Sequence, residues 1–129
     1  MKVWRVAHSS IQFMGFPAGP YICAGLPEEI DENMDEMRWC HGNLSHPEPR
    51  HDKSLGRIRA EERCGFDSYD ALFEWFTGFE DLLTDNGFKV WVYEVPEDKV
   101  RVGKYGQALF AQYFAVLEDS HEFKKELVG

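Results

Sequence analysis

The densest chemistry in the chain lies between Cys40 and Asp52. Cys40, His41, His46, His51 and Asp52 fall within thirteen positions. All are side chains that ligate zinc, which takes four N, S or O donors. The spacing C-H-x4-H-x4-H-D matches no common zinc pattern, so no metal is assigned. The stretch "HPEPRHD", residues 46–52, has a second reading. Proline fixes φ and stiffens a chain that could otherwise wander. A stiff loop carrying His46, Arg50 and Asp52 suits a pocket rim. It is expected to pack over the end of the first strand, with His46 and Asp52 bonded to backbone.

A second candidate lies in "KVWRVAH", residues 2–8. Arg is the side chain best shaped to grip a phosphate or carboxylate with two prongs. Inside an otherwise apolar strand it is costly unless paired. Arg5 therefore either meets an acid of the chain itself, such as Glu94, or receives an anion from outside. His8 is on the same strand. Tyr21, in "AGPY", offers a ring for stacking beside glycine N–H groups, and "VYEV" and "GKYGQALF" add Tyr93, Glu94, Tyr105 and Gln107. Cys64 and Cys40 pass a casual screen for a nucleophilic thiol. Sequence adjacency gives neither the base nor the lowered pKa that role needs, and free cysteine is commonly a small buried apolar residue.

Several elements must position these groups. Residues 2–8 alternate, with Val3, Arg5 and Ala7 facing one way and Trp4, Val6 and His8 the other, which predicts a strand. Residues 13–20 hold two glycines and two prolines and read as a turn-rich loop. Residues 28–39 predict a short acidic helix with Ile30, Met34 and Met37 on one thin stripe. Residues 55–63 suggest one or two helical turns through Leu55 and Ile58. Residues 68–86 predict a long amphipathic helix, capped by Asp67 or Ser68 and stopped at Asn86-Gly87. Leu72, Phe76, Phe79 and Leu83 follow its 3.6-residue period. Residues 88–95 read as a strand apolar on both faces, hence internal. Residues 100–102 and 107–117 predict strands, followed by a polar tail. A helix and a sheet must cover each other's apolar faces. The expected fold is therefore α+β: one domain, a mainly antiparallel sheet packed by the helix at 68–86 and the shorter acidic helix at 28–39.

Bulk properties bound the function. The 129 residues suffice for one core, and aromatics at 15% argue for a folded chain. A net charge of −9 argues against general binding to nucleic-acid backbone. No apolar run nears the ~20 residues of a membrane span, and no signal peptide is visible. Three cysteines without CxxC spacing fit a reduced, cytoplasmic protein.

The blocks "VWRV", "GPY", "HPEPRHD", "CGFDSYDALFEWF" and "NGFKVWVYEVPEDKVRVGKYGQALF" occur in an order that resembles small proteins of actinobacterial phages and their hosts. That resemblance implies a phage-type accessory protein, in the host cytoplasm if phage-encoded, and lends no activity. "WRV" and "YEVPEDKVRVGKYGQALF" also look similar to segments of the ADP-ribosyltransferase fold. This second likeness implies NAD as cofactor, held by Arg5 or His8, with Tyr21 stacked on nicotinamide. It places Gln107 where the catalytic acid usually stands. The chain departs from it in having no Ser-Thr-Ser motif, and Gln107 is not a carboxylate. Three functions follow as expectations. One is a pocket for NAD, ADP-ribose or a related nucleotide, enzymatic or only binding. Another is a non-enzymatic protein docking on a host factor through the acids of residues 28–36. The third is an assembly protein using aromatics around Trp39 or Trp75.

Overall fold

The computed structural model describes residues 1–20, 55, 58–104 and 106–123. In chain order its elements are β1 (Lys2–His8), β2 (Gln12–Phe13), β3 (Phe16–Pro17), β4 (Glu62–Phe66), α1 (Tyr69–Trp75), α2 (Glu80–Asp85), β5 (Phe88–Glu94), β6 (Val100–Val102), β7 (Gln107–Ala111) and β8 (Val116–His121). The expected helix at 28–39, the "YIC" strand and the loop at 43–54 lie outside the described residues.

Six strands form one antiparallel sheet in the order β6-β7-β4-β1-β5-β8. This is the α+β fold expected. The alternation read from residues 2–8 explains the central place of β1. Both of its faces are apolar enough to be covered, so both of its edges can be paired. It runs against β5 along its whole length, from Lys2 opposite Glu94 to His8 opposite Phe88. On its other side it meets β4 at Trp4 opposite Phe66. The pair β2–β3 is a separate tight hairpin. Its turn residues Met14 and Gly15 both have positive φ, 51° and 78°, which matches the twist of two-residue hairpins.

Residues paired across antiparallel strands share a face, so the register sorts every side chain. One face carries Trp4, Val6, Phe66, Phe88 and Val90. The helices lie on it through Leu72, Phe76 and Leu83. The other carries Val3, Tyr93, Ala108 and Phe110, with Phe16 of the hairpin packed against them. Each fully buried large apolar side chain contributes roughly 1.5–3 kcal/mol.

Three expectations need correction. The helix at 68–86 is two helices. Ser68 does cap the first, its Oγ accepting from Ala71 N–H at 3.1 Å. α1 then ends because Gly78 takes φ +92°, and its N–H turns to the Glu80 carboxylate at 3.0 Å. The apolar stripe survives the break, since Leu72, Phe76 and Leu83 still reach one core. Residues 107–117 are not one strand either. A 3-10 turn at Gln112–Phe114 separates β7 from β8, which crosses to the far edge of the sheet and runs on into the supposed tail. Finally, Glu62 and Arg63 are not helical but open β4.

Candidate functional site

Arg5 stands in the middle of β1 on the face opposite the helices, 7% exposed. Among the described residues it meets no carboxylate. Its Nη1 donates to the Cys64 carbonyl at 2.6 Å and its Nη2 to the Pro17 carbonyl at 3.1 Å. The Phe16 ring lies 5.6 Å from its central carbon, within cation–π range. Its Nε is buried and has no hydrogen-bond partner among the described residues. The predicted partner Glu94 lies elsewhere, taking the Met1 amino group at 2.8 Å. Burial drives the Arg5 guanidinium below its ordinary pKa, and nearby Arg63 pushes the same way. At any ordinary pH it stays a cation.

The aromatic wall beside Arg5 comes from three elements. Phe16, Tyr93 and Phe110 pack mutually, with centroid separations of 5.3, 5.7 and 6.0 Å. Burial pushes the Tyr93 phenol up to about 12, despite Arg5 pulling the other way. Tyr93 therefore stays neutral beside Arg5. Trp91, opposite Arg5 in the register, commits its indole N–H to the Ala7 carbonyl at 3.0 Å.

The other sequence candidates fall elsewhere. His8 points to the helix side. Its Nδ1 accepts from Ser10 N–H at 3.1 Å and Ile11 N–H at 2.9 Å. Such a nitrogen carries no proton, which places the ring proton on Nε2. The ring edge meets Phe88 at 5.1 Å. This histidine ties down the turn after β1. Gln107 opens β7 opposite Phe66, on the helix side and two strands from β1. The register thus separates Gln107 and His8 from Arg5 and Tyr93. Tyr21, His46, Arg50 and Asp52 lie outside the described residues. Cys64 is an exposed free thiol, and the only unprotonated nitrogen of His8 is committed to Ser10 and Ile11. Among the described residues no cluster of His, Cys, Asp or Glu could hold a metal ion. The five residues first weighed for zinc are not among them.

Two cations on the Arg5 face escaped the sequence reading. Lys89 lies opposite Ala7. Arg63 lies opposite Phe110, and its Nε too is buried without a hydrogen-bond partner. Alternation within residues 62–66 or 88–94 sets these cations apart from their neighbours, but the face they share with Arg5 follows only from strand order and register.

The fold defines a small α+β protein built on one mainly antiparallel sheet. Residues 1–124 match the model of the family described as Bacteriophage T4 Y00F protein, and the chain belongs to that family. No curated protein and no solved structure matches the chain. This match supports the phage part of the resemblance read from the sequence, not its actinobacterial part. The ADP-ribosyltransferase likeness gains no support from these comparisons. Among the described residues, no helix is long and apolar enough to cross a membrane.

Proposed function

We propose that this phage protein binds an anionic, nucleotide-type ligand at Arg5, with NAD, ADP-ribose or a related nucleotide as the class. The reading rests on one observation: a buried guanidinium with an unmet Nε–H and, among the described residues, no carboxylate beside it. A buried charge is normally paired, because desolvating an ion costs several kcal/mol. Two carbonyls satisfy part of the Arg5 donor set but supply no counter-charge. A phosphate supplies that charge in the planar geometry a guanidinium fork prefers. Of Phe16, Tyr93 and Phe110, only the part-exposed Phe16 offers a ring to a ligand, the other two being buried. Gln107 stands on the other face, so the proposal is for binding and not for group transfer.

Thermal unfolding with NAD and with ADP-ribose tests this. At 100 times its dissociation constant, either ligand should raise stability by ~2.7 kcal/mol. The gain should vanish in Arg5→Gln and largely vanish in Arg5→Lys, which keeps the charge and loses the fork. Unchanged melting with every adenine nucleotide tried would remove the proposal.

A second reading, docking on a host protein, is favoured by a different observation. Tyr113 is 79% and Val116 65% exposed, and Phe114 and Leu117 are exposed beside them where the chain crosses to the outer strand β8. Large apolar side chains exposed close together in the chain favour an interaction site. Substituting Val116→Asp and Tyr113→Ser should abolish capture of the host factor while leaving the melting temperature unchanged. Equal capture by the variant would exclude this surface. The acidic stretch at 28–36 lies outside the described residues.

A further inference from the structure

We propose that the Arg5 face of the sheet is a site for a phosphorylated group carrying two or more negative charges, held by Arg5, Arg63 and Lys89 together. This rests on the reading of Arg5 given above and extends it to the charge of the ligand.

The chain carries a net charge of −9. Yet among the paired strand residues this face presents Arg5, Arg63 and Lys89 and no Asp or Glu. The strand carboxylates fall on the other face or outside the ladder. Glu62 is held there by Arg101, through Nε at 2.8 Å and Nη2 at 2.6 Å. Glu94 lies opposite Lys2 and Asp119 opposite Val92. Glu118 pairs with Lys2 at 3.7 Å.

The three cations converge by register. Trp4 faces Phe66 across the β1–β4 ladder, which sets Arg63 one diagonal step from Arg5 on a shared face. Such diagonal neighbours lie about 7–8 Å apart, within reach of long side chains. Lys89 stands two residues from Trp91, the register partner of Arg5. Arg63 curls its Nη1 back onto the Ala60 and Glu62 carbonyls at 3.0 and 2.8 Å. That fixes its stem while Nε remains buried and unmet. Two unsatisfied guanidinium N–H groups on one face, with no acid between them among the described residues, repel each other and cost stability. A monoanion would leave surplus positive charge. A phosphomonoester or pyrophosphate would balance it and accept from both guanidinium groups.

Calorimetric titration of the full chain with inorganic pyrophosphate, and separately with acetate, tests this. The variants are Arg5→Gln, Arg63→Gln, Lys89→Gln and, on the opposite face, Lys2→Gln. Pyrophosphate should bind and acetate should not compete with it. Arg63→Gln and Lys89→Gln should each weaken pyrophosphate about tenfold, whereas Lys2→Gln should leave it unchanged. Melting curves of the half-buried Arg63 and Lys89 variants should match the parent, separating lost binding from lost folding. If pyrophosphate binds and depends on Arg5 but not on Arg63 or Lys89, the three-cation site is wrong and the Arg5 reading survives. If Lys2→Gln weakens binding as much as Arg63→Gln, the attraction is bulk charge and the site is overturned. If neither pyrophosphate nor any nucleotide binds the native chain, both proposals fall together.

Discussion

At the scale of single residues, Arg5 and His8 show how similar polar insertions in one strand acquire different work. Arg5 donates to two backbone carbonyls, at Cys64 and Pro17, where β1, β4 and the hairpin come together. Arg5→Met strands both acceptors, so it should cost about 1–3 kcal/mol per acceptor in a denaturant titration. A loss of stability alone would mark a splice between segments. Loss of ligand binding in the better-folded Arg5→Lys would mark a site. His8 offers a cleaner contrast. His8→Ala removes the acceptor for two N–H groups and should cost about 1–3 kcal/mol. His8→Asn, whose carbonyl falls near the Nδ1 position, should recover part of that loss. An alanine variant as stable as the parent would contradict the tie. Alternation placed both side chains on their correct faces from sequence alone. What each touches was not legible, because Cys64, Pro17, Ser10 and Ile11 become neighbours only through the register and the turn.

At the scale of elements, the helix break and the β4–β6 tie carry the next predictions. Gly78 and Gly87 both have positive φ, +92° and +88°. A β-carbon at Gly78 meets nothing within 4 Å, whereas one at Gly87 would lie 2.6 Å from His8 Nε2. Gly78→Ala should therefore cost only the backbone strain, about 1–2 kcal/mol. Gly87→Ala should cost clearly more, read from the midpoints of urea unfolding. Equal costs would deny the contact between Gly87 and His8. The stop at Gly87 was readable as Asn-Gly, but Gly78 hid inside a continuous apolar period. Periodicity reports which face is buried and is blind to one left-handed residue.

Glu62 sits on the tie between β4 and β6. Burial would raise its carboxyl pKa, but the Arg101 side chain, then the Arg59 N–H, outweigh it and hold it below the ordinary 4.5. Such a carboxylate stabilises the fold above pH 4.5, and that stability is lost as pH falls through the depressed value. Acid unfolding should therefore be less steep below pH 4.5 in Glu62→Gln than in the parent. Identical profiles would exclude the tie as a source of acid sensitivity. Residues 62–66 mix charge with apolar types and contain glycine, so neither strand nor helix period stands out. That is why β4 was missed, and with it the side of the sheet on which Arg63 falls.

At the scale of the whole molecule, the decisive feature is the division of charge between two faces of one sheet. The fold class was legible because aromatic and β-branched segments alternate over β1 and β5 and one strong apolar stripe implies a covering helix. The site was only partly legible. Arg5 was found as a polar insertion in an apolar strand. The grouping with Gln107 and His8 came from likeness to another fold and is undone by the strand register. Arg63 and Lys89 emerge only when the order β4-β1-β5 is known. The central claim is that the buried Arg5 Nε–H awaits an anion. Protein labelled with nitrogen-15 arginine reports on that atom directly, as one Nε–H signal lost in Arg5→Lys. On titration with ADP-ribose the account predicts a saturable downfield shift of that proton and slower exchange with water. A signal that stays fixed while ADP-ribose saturates the protein, or in the absence of any binding, would contradict it.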